Sequence, residues 1–581
     1  ARYASGAPIL RAISSLAEGA DRLFARAALN MGFDLVCVMP FRRAEFERDF
    51  QAPEALAAGA LAEFGALLGR AAGAGGLTTF ELDGARERRA EAYKAAGEVV
   101  LNQSDLLVAV WDGGAANGVG GTFATLQRAI EFNIPVIWVD SRAPHGWRIL
   151  RAAEDLACLT GGEACPQILP PGDAAALGVA IAALVAAELR PGGPSCEQAT
   201  CLAEFQAERR PRYNFAFAWK LFRDLIDGGG ITLGPLRTRN FIGEIDRDWP
   251  IGETADASGT AAWVNRALRG HYAWSDKLAD LYADAHRSAF IWSSLLAASA
   301  VFLALLPVAG QWSPRAWTSL ATAGVEIGVL TAMVGLLLLT RNRRWHRRWT
   351  EYRVLAELIR ELRVLTPFGG GQPPPRTPAH LASYGDPARS WMFAHARAIA
   401  RDTGLPPASV DRPYVADQIA FLRRFIGESA QAARPASGQI GFHSHNCERM
   451  ERIHRRLHLL AILLFASTII AVAGDFLALF ARPAVAATSR DWLILVSAFF
   501  PALGAALASI NNQGEFARLQ RRSRAMASGL AALRRELDAV AAGPDPTLGQ
   551  VASIAARTAG MMIEETVDWR IVVLDLPHAA G

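Results

Sequence analysis

The chain has 581 residues, 20% charged and 51% hydrophobic, with a net charge of +4 and a mean hydropathy of +0.15. That length leaves room for three or four folding units, and the hydropathy is high for a soluble protein and low for one that is mostly membrane. Three of the 60 basic residues are lysine, namely Lys94, Lys220 and Lys277, and the arginines gather beside apolar segments, which excludes a nucleic-acid-binding stripe.

The first residue is Ala1, so a native segment is expected to precede it. Residues 9–14, 33–41, 77–84, 104–113 and 134–140 read as strands, separated by helices from near Glu18, over 54–72, over 87–102 and from about 121. Apolar strands alternating with helices predict a parallel sheet covered on both faces. This α/β unit is assigned to residues 1–190. In such sheets ligands bind outside the carboxyl ends of the strands.

Three strand ends carry polar chemistry. The first is Ser14-Ser15-Leu16-Ala17-Glu18-Gly19-Ala20-Asp21-Arg22. The second is Pro40-Phe41-Arg42-Arg43, followed by Glu45, Asp49 and Phe50. The third runs from Trp111-Asp112 through Gly118, Gly120 and Gly121 to Thr122, opening onto a helix. Glycines let a backbone approach phosphate, and a new helix start offers free N–H groups. Arg22, Arg42 or Arg43 would complete an anion clamp. The expected ligand is a nucleotide-type small molecule, and no other cofactor is expected. Glu18 and Asp112 are the carboxylates placed to act as acid or base; helix-dipole stabilisation is the structural alternative for Glu18.

Six scattered cysteines without a CxxC spacing read as reduced thiols. A connecting segment spans 191–259. Four apolar runs then follow, 288–310, 317–340, 457–480 and 491–510, each long enough to cross about 30 Å of hydrocarbon as a helix. They form two hairpins, each preceded by a helical stretch (272–287 and 447–458) and followed by an amphipathic one (from Trp349 and from Phe516, 167 residues later). The units are placed at 260–365 and 446–581, with a Gly/Pro-rich cytosolic linker over 366–445. Helices continuing out of the bilayer would couple a cytosolic domain to the spans, and a bundle or dimerisation stalk is the alternative. His443, His445 and Cys447, where this linker meets the second unit, form a short HxHxC cluster of metal-ligand types, but no fourth ligand is evident nearby, so they are read as a juxtamembrane polar loop and no metal site is assigned.

Arginines cluster at 341–348, at 449–456 and at 518–524, whereas the hairpin tips carry Arg315, Arg482 and Arg490. The positive-inside rule therefore places both termini and the 341–456 connection in the cytoplasm. Glu326 and Asp475 then fall in the outer half of the bilayer, where a carboxylate costs on the order of 3 kcal/mol. Glu326 lines a pore or is protonated between helices; Asp475 is interfacial. Four spans per chain suit a homo-oligomeric bundle.

Ser15–Arg22, Pro40-Phe41 with Glu45, Asp49 and Phe50, and Trp111-Asp112 with Gly118–Thr122 resemble the SLOG superfamily over roughly residues 1–140. That superfamily of Rossmann-like nucleotide-binding domains includes the LOG enzymes, the DprA fold and the N-terminal domain of TRPM channels. The membrane units, with Glu564, Glu565, Trp569 and Arg570, are similar to two-transmembrane effector modules of bacterial conflict systems. The resemblance implies a ligand-gated effector in a bacterial inner membrane. The catalytic Glu of LOG enzymes is replaced by Thr125, which implies binding without hydrolysis; a membrane-tethered hydrolase of a nucleotide or NAD-like substrate is the alternative.

Overall fold

A computed structural model describes residues 9–51, 58–114, 121–132, 134–143, 146–152, 154–156, 174–188, 196–214, 216–228, 238, 240–246, 248–249, 258–371, 390–428, 437–478 and 483–575. The chain opens with β1 (Arg11–Ser14), α1 (Ala20–Asn30), β2 (Asp34–Met39), α2 (Arg43–Phe46), α3 (Ala60–Gly73), β3 (Leu77–Glu81) and α4 (Arg89–Gln103). Then come β4 (Leu107–Trp111), α5 (Thr122–Glu131), β5 (Val136–Asp140) and β6 (Trp147–Leu150). Helical crossovers between strands make the pairing parallel. Ile13 lies opposite Val36, and Val36 opposite Thr78. The strands form two hydrogen-bonded sheets, one holding β1, β2 and β3, the other β4, β5 and an antiparallel β6. Helix α4 contacts both β1 and α5 and so bridges the two sheets.

β2 is buried on both sides. Leu35, Cys37 and Met39 face the helices of their own domain, among Phe46, Phe50 and Phe64. Val36 and Val38 face the other way, into a core shared with Val364, Leu405, Val415, Leu530 and Ile554. Those partners come from the second half of the chain. The first sheet is completed there as well: β7 (Ala408–Ser409) pairs parallel with β3, Ala408 opposite Phe80, and Val410 N donates to Glu81 O at 2.8 Å. The stretch expected only to connect the membrane units therefore builds the α/β domain's edge and one of its faces.

Helices α6 (Ala174–Glu188), α7 (Cys196–Gln206), α8 (Ala218–Asp227) and α9 (Phe241–Glu244) lead to the first membrane unit. It consists of α10 (Thr260–Ala309), α11 (Trp317–Arg343) and α12 (Trp345–Leu365). Next come α13 (Trp391–Thr403) and α14 (Arg412–Ile426), then the second unit, α15 (Gly438–Ala478), α16 (Pro483–Gln513) and α17 (Phe516–Ala541), and finally α18 (Leu548–Asp575). Four of these long helical stretches are long and apolar enough to cross a membrane. At 1.5 Å per residue α10 is roughly 75 Å long, more than twice the hydrocarbon thickness, so its N-terminal half stands outside the bilayer as a continuous rod.

The second span of each unit does not run on unbroken. Arg344 separates α11 from α12 with φ 50°, and Glu515 separates α16 from α17 with φ 48°. Left-handed conformations at non-glycine residues cost about 1–3 kcal/mol and persist only where surrounding packing imposes them. The same break in both copies marks the repeat more sharply than the sequence does. His443, His445 and Cys447 lie on α15, not in a loop, because the helix starts at Gly438, ahead of them. Helical spacing then puts His443 and Cys447 on one side and His445 on another, and no group of His, Cys, Asp and Glu among the described residues could hold a metal.

If β7 closes the sheet, Val410→Pro should remove the donor to Glu81 O and cost about 1–3 kcal/mol. Chemical denaturation of the full chain would read the loss, and hydrogen exchange should rise at the β3 amides. Unchanged exchange along β3 would show that 408–410 does not hold the domain together.

Candidate functional site

The carboxyl ends of β1, β2, β3 and β7 converge on one edge, the position where parallel sheets bind ligands. At the end of β1 the chain turns through Leu16, which is buried with φ 56°. This strained turn is held from inside. Ser14 Oγ accepts from Leu16 N at 3.0 Å and donates to Asp21 Oδ2 at 2.9 Å, and Ala17 N donates to the same carboxylate at 3.3 Å. Burial raises the pKa of Asp21, opposed by these donors. Asp21 thus supplies the anion that the start of α1 favours. Gly19, at φ 98°, lets the chain enter α1, and Ala17 and Glu18 are half-buried beside it.

Arg22 points into the protein and is 2% exposed. Its Nε donates to Leu16 O at 3.2 Å, and Nη1 to Ala60 O at 2.8 Å and Glu63 at 3.2 Å. Its guanidinium lies 4.4 Å from the Phe50 ring centre. Arg22 therefore fastens the strained turn to α3. Arg42 and Arg43 remain at the surface. Pro40 and Phe41 are buried, Phe41 edge-on to Tyr93 at 5.9 Å. The ends of β2 and β3 touch so closely that a Cβ on Gly84 would sit 2.2 Å from Pro40 O. Glu45 and Asp49 brace this edge. Asp49 accepts from Tyr93 Oη at 2.6 Å and pairs with Arg86 at 2.8 Å and Arg89 at 3.1 Å, while Arg86 also pairs with Glu45. Burial, then Asp49, pushes the Tyr93 phenol up to about 12.

The third motif sits on the other sheet. Asp112 is exposed, accepts from Gly114 N at 3.0 Å and pairs with Arg142 at 3.2 Å, and these interactions, the Gly114 N–H foremost, hold its carboxyl below the usual range. Gly118 and Gly120 lie outside the described residues. Gly121 caps α5 without any side-chain hydrogen bond, and Thr122 is exposed at the first helical position. Unfilled first-turn N–H groups are what an anion needs. Thr125 folds its hydroxyl back onto Gly121 O at 3.4 Å. The structure thus brings Ser14, Leu16, Ala17 and Asp21 together, and sets Asp112, Gly121 and Thr122 apart on the second sheet.

Sequence reasoning missed Glu81, Asp83, Ser409 and Leu548. Glu81 Oε2 accepts from Arg43 N at 3.0 Å and from Ser409 Oγ at 3.1 Å, tying the ends of β2, β3 and β7. Asp83 Oδ2 accepts from Leu548 N at 2.7 Å and so caps the terminal helix α18. Burial raises its pKa, against the pull of the Leu548 N–H and of Arg42. The start of α18 was readable in sequence, since Thr547 and Gln550 exchange backbone and side-chain hydrogen bonds as a capping box. Its meeting with Asp83 was not.

In the membrane region α11 packs chiefly on α10. Glu326 is half-buried and shares a helical face with the half-buried Thr322, Val329, Met333 and Leu336, which places it on the seam toward α10. The opposite face exposes Gly324, Gly328 and Gly335, where an added Cβ would meet nothing within 4 Å. Asp475 is half-buried in the last turn of α15.

Compared with family models, with curated proteins and with solved structures, the chain finds no match.

Arg22 and Arg42 should behave oppositely. Arg22→Ala strands buried carbonyls and should cost about 1–3 kcal/mol, whereas exposed Arg42→Ala should stay within about 0.5 kcal/mol. Equal losses in denaturant unfolding would contradict the assignment of Arg22 as scaffold.

Proposed function

We propose that this chain is a membrane effector whose SLOG-like domain senses a nucleotide-derived ligand and thereby gates or permeabilises a bacterial inner membrane, as part of a defence response. In this reading both termini and all the arginine-rich junctions are cytoplasmic, and several copies assemble in the bilayer through the glycine face of α11, since small residues let spans approach closely. One observation supports it above others: the carboxyl-end edge of the first sheet is hydrogen-bonded, through Asp83 and Leu548 N, to a helix that packs on the exit helices of both membrane units.

A ligand phosphate arriving beside Arg42 would compete with Asp83 for the arginine and for the start of α18, which favours anions. Ligand energy can shift the spans only if it is greater in one state than in the other. Release of α18 from the sheet supplies that difference, because α18 contacts α12 and α17. Each of these exit helices is separated from its span by a short break that holds a strained residue, Arg344 in one and Glu515, after Gly514, in the other. The entry helices α10 and α15 carry no such break and act as fixed posts.

The test is reconstitution of the full chain in liposomes with a cation-flux assay against nucleotides, NAD-derived signals and cyclic oligonucleotides. Flux should rise with one of them. Arg42→Ala should raise the required concentration at least about tenfold, the loss of one charged contact. Glu326→Gln should change ion selectivity if that carboxylate reaches the conduction path. A ligand that binds by calorimetry yet never raises flux would defeat the effector reading, and recovery of cleaved ligand would favour the membrane-tethered hydrolase.

A further inference from the structure

Helix α12 is enclosed on nearly every side. Tyr352, Leu355, Ile359 and Leu362 pack with Leu268, Tyr272 and Leu278 of α10 and with Trp391 and Met392 of α13. Val364 belongs to the core that includes Ile554, Ala555 and Met562 of α18. Charged groups run from this packing to its edge, with Asp276 and Glu357 buried and Asp280 exposed. Arg353 pairs with Asp276 at 2.8 Å and with Glu357 at 2.6 Å, and Arg360 pairs with Glu357. Lys277 pairs with Asp276 at 3.0 Å and with Asp280 at 3.3 Å. Lys277 also stands 3.9 Å from Asp248, and the side chains of Asp248 and Asp280 are more than half exposed, so Asp276 and Glu357 are the buried carboxylates of this group.

Glu361 is 0% exposed, and neither of its carboxyl oxygens has a hydrogen-bond partner among the described residues. Arg360 Nε stands 4.0 Å away, outside hydrogen-bonding reach, on a guanidinium already committed to Glu357. The titratable groups that reach Arg353 and Arg360 from other helices bring no further cation: Glu565 of α18, its carboxyl raised by burial, pairs with Arg522 of α17 at 3.2 Å, and burial pushes His443 of α15 down to about 4. An ionised Glu361 would be a buried charge with no hydrogen-bond partner among the described residues, which costs several kcal/mol. Burial correspondingly holds its carboxyl well above the usual range, with Arg360 opposing and Glu357 adding to the shift.

We propose that Glu361 is a proton-binding switch: with its proton the exit helix α12 stays packed against α18, and loss of the proton opens that packing to water. Glu357, Glu361 and Val364 share a face of α12, Val364 joins the core that holds the α18 residues, and α12 packs on α18, so hydration of Glu361 is expected to loosen that packing. The switch acts whether or not the spans conduct, so its failure and the failure of the effector reading are separate results.

The sign follows from linkage. A carboxyl whose pKa is raised in the folded state contributes stability at low pH that is lost progressively above its unfolded pKa, by up to about tenfold in the unfolding equilibrium per pH unit. The experiment compares the full chain with Glu361→Gln and Glu361→Leu in nanodiscs between pH 5 and 9. It reads thermal unfolding and hydrogen exchange corrected for intrinsic rates. The wild type should lose midpoint temperature as pH rises, with exchange growing in 354–365 and 551–566 first, and both variants should respond distinctly less there, keeping only what Glu565 and Asp280, whose carboxyls desolvation also raises, contribute. The leucine variant keeps the test valid should the glutamine variant fail to fold. The same pH dependence in wild type and variants, or none in any of them, overturns the proposal.

Discussion

The fold depends on the double burial of β2. A strand covered on both faces must find two sets of partners, and here only one set comes from its own domain. Val36, Val38 and Phe80 are covered by Val364, Leu405, Val415, Leu530 and Ile554, residues that belong to the helices leaving the membrane and to the segments between them. Fully burying such side chains contributes roughly 1.5–3 kcal/mol each. The α/β domain and the extramembrane helices are therefore halves of one core. Any movement of the sheet's edge is felt by those helices because close-packed interiors transmit displacement instead of absorbing it.

At the membrane boundary a different device joins the two units. α8 precedes both of them and touches both. Trp219 N donates to Ser288 Oγ at 3.0 Å, and Lys220 pairs with Asp284 at 2.8 Å, both on α10. Asp224 and Asp227 take Arg449 and Arg452 of α15 at 2.9 Å and 3.0 Å. The Trp219 ring stacks on Phe516, the first residue of α17, and the Arg287 guanidinium lies 5.0 Å from the Trp219 ring centre and 4.5 Å from that of Trp349. Aromatic rings and arginines suit the interfacial layer, where one end of the side chain is apolar and the other wet. The clamp holds the entry helices together, and the exit helices begin beyond the breaks at Arg344 and Glu515.

Much of this was legible in sequence, and the rest was not for physical reasons. Strand and helix periodicity are local, so β1 through β5 and the four spans lie close to where the apolar patterns put them. The split into two sheets, the pairing of Ala408 with Phe80, and the capping of Leu548 by Asp83 depend on contacts between residues hundreds of positions apart, which no window of sequence contains. Arg22 and Arg42 look equivalent as letters. Only packing reveals that one is spent on Leu16 O and Ala60 O and the other is exposed. Likewise the first exit helix reads as continuous because Arg344 is not a helix breaker by type, whereas the second break falls at Gly514 and Glu515, where the glycine was a readable signal.

The strand at Ala408–Ser409 bears on how the protein is made. Ser409 and Glu81, which it meets at the sheet's edge, are 328 positions apart. Ribosomes add roughly 5–20 residues per second, so for tens of seconds the nascent sheet has an unpaired edge and an uncovered apolar face while the first hairpin is being threaded into the bilayer. An open strand edge beside exposed valines is a template for aggregation. Biogenesis of this chain therefore calls for a holding chaperone during that interval, and the α/β domain cut away from its helices would inherit the same exposed surface permanently.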